Sequence, residues 1–343
     1  HMIYNFKNDY TEGVHPRILD ALKQTNLEQH EGYGEDRYCR EAIGLLRHKI
    51  QNPSADIHFV SGGTHTNAIV IPSVLKPYES VISTFTGHIN THEAGAIEHA
   101  GHKINVVESS DGKLSCKSIQ SVLDAHKDEH MVKPKLVYIS NATETGTLYK
   151  KNELETLSRF CRSKGLLLYL DGARIGSALC SQDNDLTLAQ LSQLVDLFYI
   201  GGTKNGAMLG EAVIIINDSL KQDFRFHLKQ KGALLAKSRI FGLQFVELFK
   251  DDLFFRLAEH ANAMALKLSR SIEKMGFQFL SKSTTNQIFP IFKQDVINRL
   301  SKKYGFYVWE NMDDQHVAIR LVTSWATKEE AVDRFIADLE TGF

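Results

Sequence analysis

Cysteine is scarce in this chain. Cys39, Cys116, Cys161 and Cys180 are the whole complement, scattered without a C-x-x-C pair. That spacing gives no sign of a disulfide framework and predicts a reduced, cytoplasmic setting. Proline is scarce as well, six in 343 residues, and no Pro/Gly-rich linker, low-complexity tract or internal repeat breaks the sequence. Neither sign of charge dominates, with 40 Lys and Arg against 41 Asp and Glu and no block of like charges. This argues against nucleic acid or an anionic membrane recruited by bulk charge. Apolar runs of membrane-spanning length are missing, as is the charged-then-apolar pattern of an export signal, so neither a membrane span nor secretion is expected. His1 ahead of Met2 reads as a remnant of tag removal. What is present, 43% apolar and 24% charged residues, suits a globular enzyme with more than one core. We expect an N-terminal segment over 1–30, a large domain over 31–250 and a smaller one over 251–343.

Short apolar runs at 56–60, 80–85, 104–107, 136–140, 166–170, 195–200 and 212–216 read as strands. Helical patterns at 16–23, 37–49, 68–75 and 152–163, and one opening near Thr91 to Ala96, alternate with them. This β-α-β rhythm predicts an α/β fold with a mainly parallel sheet wrapped by helices. Long helical patterns follow at 240–249 and 253–275. After Gly276 short strands at 277–280, 287–292, 307–309 and 317–322 alternate with helices at 294–303 and 328–339, an α+β pattern.

Open α/β sheets bind ligands beyond the carboxyl ends of their strands. Asp171-Gly172-Ala173-Arg174 closes one run there, and Gly201-Gly202-Thr203-Lys204-Asn205-Gly206 closes the next. A lysine that can form a Schiff base, beside a carboxylate that can keep a pyridine nitrogen protonated, suggests a pyridoxal phosphate site. Taken alone, the pair also reads as a solvated turn and a strand-end cap. Ser61-Gly62-Gly63-Thr64-His65-Thr66-Asn67 links a strand to a helix, either as a phosphate cup or as a cap by Ser61 or Thr64. His88 ends another strand, placed to stack on a flat ring or exchange protons. Gly32-Tyr33-Gly34-Glu35-Asp36 lacks the third glycine of a dinucleotide fingerprint and reads as a surface loop. Gly112-Lys113 lacks the remainder of a P-loop. His92, His99 and His102 lack metal-ligand spacing, and no metal site is predicted.

Several stretches in order resemble the L-threonine aldolase branch of the aromatic amino-acid β-eliminating lyase family. They are Tyr33-Gly34-Glu35-Asp36, Gly63-Thr64 with Asn67, His88 with Glu93-Ala94-Gly95, Asp171-Gly172-Ala173-Arg174, Lys204, and Arg320-Leu321-Val322-Thr323. The resemblance implies the fold-type I pyridoxal 5'-phosphate architecture. It implies Lys204 as the Schiff-base lysine, Asp171 at the pyridine nitrogen, His88 stacked on the ring and Gly63 with Thr64 on the phosphate. Arg174 and Arg320 would lie near the substrate carboxylate, with Tyr33 also contacting substrate. Lys237 would reach a phosphate in a neighbouring subunit of a homodimer or homotetramer. The implied reaction is retro-aldol cleavage of L-threonine or L-allo-threonine to glycine and an aldehyde, with His88, His92 or a water between them as base. Three departures leave a phenylserine-type aldolase or a β-eliminating relative open. Thr203-Lys204-Asn205-Gly206 replaces a serine-lysine-glycine segment, Asn8 stands where a serine commonly helps hold the carboxylate, and His92 replaces an aromatic side chain.

Overall fold

The computed structural model describes residues 3–341; His1 lies outside them. Seven strands build the main sheet: β1 (Asp56–Val60), β2 (Glu79–Thr84), β3 (Ile104–Val107), β4 (Lys133–Ser140), β5 (Leu167–Asp171), β6 (Leu197–Gly201) and β7 (Glu211–Ile215). Their order across the sheet is β1-β7-β6-β5-β4-β2-β3. The apolar runs of β5, β6 and β7 are buried throughout, as expected of strands covered on both faces. Neighbours from β6 through β3 pair in parallel, whereas β7 is antiparallel to both β6 and β1. The sheet is therefore mixed at one edge. The link from β6 to β7, residues 202–210, is too short for the crossover that a parallel pair needs, and so the chain turns straight back.

Helices cover both faces. Leu154, Leu157 and Cys161 form one stripe of the Lys151–Ser163 helix, spaced three and four apart, and face a core shared with β4, β5 and β6. The Arg37–Lys49 and Arg239–Phe249 helices close the same face. The Gly63–Val74 helix closes the other with Ile69, Val70 and Ile71. The Gly32–Asp36 loop does lead into a helix, where the Asp36 carboxylate caps the Cys39 N–H at 2.8 Å.

A separate core forms where the Leu253–Lys274 and Glu329–Glu340 helices pack on four short strands. These are β8 (Gln287–Ile288), β9 (Ile291–Lys293), β10 (Tyr307–Asn311) and β11 (His316–Val322). Phe6 of the N-terminal segment inserts here, 5.6 Å from the Phe335 ring and 6.0 Å from Tyr304. Tyr4–Asn5 pairs in parallel with Tyr304–Gly305. The following residues, 8–10, are thereby held against the carboxyl end of the main sheet.

Several expected boundaries differ. The 287–292 run is two strands, parted around Pro290, which has no N–H for a ladder. Residues 277–280 make only an isolated bridge, Phe279 to Pro290. The helix expected from 68 begins at Gly63, its first turn being too polar to show an apolar stripe. The helix expected near Thr91 to Ala96 is two single turns, His88–Thr91 and Ala96–His99, separated by positive φ at Ala94 and Gly95. No described helix is long and apolar enough to cross a membrane.

Gly172 sets how closely β5 approaches β6: a Cβ there would lie 1.8 Å from the Tyr199 carbonyl oxygen. Gly172→Ala is expected to destabilise the fold by roughly 1–3 kcal/mol through overpacking. Gly44→Ala, on a helix with open space around it, should stabilise by about 0.5–1 kcal/mol. Urea unfolding of the two variants beside the parent checks both signs.

Candidate active site

The carboxyl ends of β4, β5 and β6 surround a cavity of about 250 Å³. Asp171 lies at its floor, 4% exposed. Its Oδ1 accepts hydrogen bonds from Tyr199 Oη at 2.5 Å and Ala173 N at 3.0 Å. Its Oδ2 accepts from Tyr138 Oη at 2.6 Å and Asn67 Nδ2 at 3.2 Å. Burial, reinforced by the Asp171 charge, pushes both tyrosines well above the ordinary phenol range, so they remain donors. Asn67 also donates to Glu93 Oε1 at 2.7 Å and accepts from Tyr169 Oη at 2.8 Å. Glu93 Oε1 in turn bonds His88 Nδ1 at 2.6 Å, tying the histidine to the same network.

Lys204 follows β6 and lines the cavity. Among the described residues its amine has no hydrogen-bond or carboxylate partner, and it lies 5.9 Å from the Tyr10 ring centre. Burial and the Arg174 guanidinium hold it below the usual ammonium range, despite Asp9 and Asp171 nearby. A lysine so placed offers a neutral amine more readily than one in water.

The Gly63–Val74 helix opens at the cavity with no side-chain cap. Ser61 Oγ bonds His65 Nδ1 at 3.0 Å instead, so the cap by Ser61 is not formed and first-turn N–H groups stay open to an anion. A Cβ on Gly63 would stand 3.1 Å from Tyr199 Oη, so the glycine keeps this approach open. An uncapped helix start, an unpartnered lysine and a carboxylate fixed by four donors together suit the phosphate, the aldehyde carbon and the ring nitrogen of pyridoxal phosphate.

The structure brings Gly63, Thr64, His88, Asp171, Arg174 and Lys204 around one cavity. Arg174, however, is already gripped: its Nε and Nη2 donate to the buried Asp9 carboxylate at 2.8 and 3.0 Å. Asn286 Nδ2 donates to the same carboxylate at 2.9 Å. Arg320 Nη2 donates to the Lys7 carbonyl at 3.1 Å and Nη1 to Gln287 Oε1 at 3.5 Å, and its buried Nε has no partner. The His92 ring is stacked 5.4 Å from His88. Burial, then His88, Arg320, Lys204 and Arg174, depress its pKa. Asn8 accepts from Tyr10 N and Thr11 Oγ1 within its own turn. Arg320, His92 and Asn8 are not among the residues that line this cavity, and neither are Tyr33 and Lys237: Tyr33 borders a separate recess with His58 and Arg225, and Lys237 is exposed.

Sequence reasoning missed Asp9, Glu144, Glu211 and the tyrosines Tyr138 and Tyr199. Each tyrosine stands two residues before the end of its observed strand, Ser140 or Gly201, and so shares a face with that terminal residue. Asp9 carried no signal beyond lying next to Asn8.

Burial alone would raise the Asp9 carboxyl, but Arg174 overrides it and holds the group below the usual carboxylate range. Asp9→Asn, which leaves Arg174 buried without its counter-charge, should cost roughly 3–5 kcal/mol at neutral pH. The pairing is fully present above the ordinary carboxyl value near about 4 and is lost as pH falls through the lower folded value. Denaturation of parent and variant across that range should show the difference shrinking toward acid.

The chain matches the family described as Beta-eliminating lyase over residues 6–295. It is 32% identical to a low specificity L-threonine aldolase of Pseudomonas sp. (strain NCIMB 10558), covering 97% of this chain and 96% of that protein. The corresponding Pseudomonas aeruginosa protein is 30% identical with the same coverage. A Leishmania major threonine aldolase structure superposes with a TM-score of 0.97 at 49% identity, over 98% of this chain and 99% of that one. Aspartate aminotransferase of Thermus thermophilus shares the fold alone, with a TM-score of 0.73 at 13% identity, over 99% and 91%. The full-length matches, with a lysine, a pinned carboxylate and an open helix start around one cavity, make this chain a member of the beta-eliminating lyase family, pyridoxal phosphate enzymes of fold type I.

Proposed function

We propose that this chain cleaves L-threonine or L-allo-threonine to glycine and an aldehyde by a retro-aldol reaction. The observation that carries the reading is the unpartnered Lys204 amine in one cavity with the four-donor Asp171, in a chain aligned end to end with threonine aldolases. Pyridoxal phosphate, when bound, supplies the electron sink for Cα–Cβ cleavage. The Lys204 amine would hold the cofactor at its aldehyde carbon. Asp171 holds the proton on the ring nitrogen, and Tyr138, Tyr199 and Asn67 keep its carboxylate in place. The free N–H groups at Gly63 and Thr64 would take the phosphate, and His88, fixed through Nδ1 by Glu93, would help hold the ring.

Arg320 grips the substrate carboxylate. The fork of Arg174 is filled by Asp9, so Arg174 contributes positive charge, while the Arg320 guanidinium is held only by neutral oxygens, the Lys7 carbonyl and Gln287 Oε1, with no carboxylate partner among the described residues. His92 takes the β-hydroxyl proton. His88 is committed through Nδ1 to Glu93, whereas the neighbouring His92 is kept neutral by burial and by the cations around it. Tyr33 and Lys237 serve the cavity of a second copy in a homodimer or homotetramer, which their exposure and their places outside this chain's cavity support. The four cysteines are free, consistent with a cytoplasmic enzyme.

Incubation of purified protein with L-threonine, L-allo-threonine and L-phenylserine, with glycine and aldehyde measured, tests the reading. Glycine and aldehyde in equal amounts are expected, and ammonia with a keto acid in their place would show β-elimination instead. Lys204→Ala should abolish multiple turnover and the lysine that borohydride fixes to the cofactor. Mapping of the fixed cofactor to another lysine in the parent would remove the assignment.

Arg320→Lys keeps charge but loses the planar fork, and a fall in kcat/KM of about 10²-fold or more is expected with cofactor binding unchanged. Steady-state kinetics beside the visible spectrum of the bound cofactor separates the two effects. Unchanged kinetics would return the carboxylate to Arg174.

A further inference from the structure

Two acidic side chains border the cavity without a role so far, Glu144 and Glu211. Both Glu211 oxygens are engaged in its own wall: Oε2 accepts from Gly202 N at 2.9 Å and Oε1 from Thr203 Oγ1 at 2.8 Å. Glu144 differs. Its Oε1 accepts from both Ser140 Oγ at 2.7 Å and His88 N at 3.1 Å, the carboxyl also meets its own backbone N–H, and no other described residue donates to Oε2. One oxygen is pinned, and the other stands beside the cavity with no donor from another described residue.

Sheet order fixes which side of the cavity this is. Gly62–Thr64 follows β1, Lys204 follows β6, Asp171 ends β5, and Glu144 follows β4, on the far flank of β5 from the helix start. Register sets Ser140 beside Asp171. A pyridine ring held through its nitrogen at Asp171, with its phosphate arm toward Gly62–Thr64, turns its opposite edge toward β4. In pyridoxal phosphate that edge carries the ring hydroxyl. We propose that Glu144 Oε2 donates a hydrogen bond to this ring oxygen, which makes Glu144 a cofactor-contacting residue. The inference rests on the pyridoxal phosphate reading of the cavity.

The donor role requires a protonated acid, because an ionised carboxylate and a ring oxygenate would both be acceptors. Burial raises the Glu144 carboxyl and the adjacent Asp171 charge raises it further, against the hydrogen bonds from Ser140 and from its own backbone N–H and against the His88 side chain. The charged and titratable groups facing it are Asp171 at the end of β5, His88 after β2, Arg174 beyond β5, Tyr138 on β4 and Tyr149 ahead of the next helix. Only His88 and Arg174 are basic among them.

A donor on the ring oxygen draws its electron pair away from the proton that this oxygen shares with the Schiff-base nitrogen. Loss of the donor therefore raises the pH at which that proton leaves, which the visible band of the bound cofactor reports. The test is a pH titration of that band in holoenzyme carrying the parent sequence, Glu144→Gln, Glu144→Ala or Glu144→Asp. The Ala and Asp variants, the latter too short to reach, should titrate about one pH unit higher, a tenfold change in proton affinity. Glu144→Gln, whose amide is a neutral donor, should stay at the parent midpoint. Ala and Asp midpoints equal to the parent's would overturn the contact. A Gln midpoint displaced as far as that of Ala would overturn the donor role and leave a charge effect. If the parent protein acquires no visible band with pyridoxal phosphate, the cofactor reading itself falls, and this inference with it.

Discussion

A buried carboxylate is the constraint on which the rest of this structure depends. Asp171 is almost wholly removed from water, and an ionised group there is tolerated only with its lone pairs satisfied. The four donors come from β4, β6, the helix behind the cavity and the turn after Asp171 itself. Those elements must therefore meet in one relative placement. Gly172 permits it, since no side chain fits between the turn and the Tyr199 carbonyl. The polar network is continuous with Glu93 and His88 through Asn67, so the group over the cavity and the group at its floor share one support.

Charge is distributed around this floor in a way that frees one amine. Arg174 is neutralised by Asp9 within a bidentate pair, yet its positive potential still reaches Lys204 and opposes protonation there. Glu211, pushed up to about 7 mainly by burial, is bonded to the residues just before Lys204. The lysine is thus surrounded by charged groups and paired with none of them among the described residues. A surface lysine in the same glycine-rich turn would be hydrated and charged.

The N-terminal segment joins two cores. Phe6 packs among Phe335, Tyr304 and Met264 at the C-terminal end of the chain, while Asp9, three residues on, is bonded to Arg174 after β5. Arg320, on β11, donates to the Lys7 carbonyl in the same segment. Burial of a large aromatic ring thereby fixes the position of two arginines that come from distant parts of the sequence.

The β-α-β rhythm, the strand-end positions of Asp171 and Lys204, and the glycine turn at Gly62-Gly63 were legible in the sequence, but that the turn is uncapped was not. They depend on local properties: apolar run length, backbone permissiveness and the geometry of strand ends. The reversal of β7 was obscured because an apolar run has no direction, and only the short link before it reveals the turn. Asp9 and Glu144 were illegible for another reason. A carboxylate looks alike on a surface and in a cavity until its partners are known, and those partners, Arg174 for Asp9 and Ser140 with His88 for Glu144, are chosen by the packing of separate elements. The sequence by itself determined which residues could carry the chemistry. Tertiary structure decided which arginine is already occupied, which lysine is unpaired and which acid has an oxygen that no other described residue pairs, because hydrogen bonds between distant segments exist only after those segments are packed together.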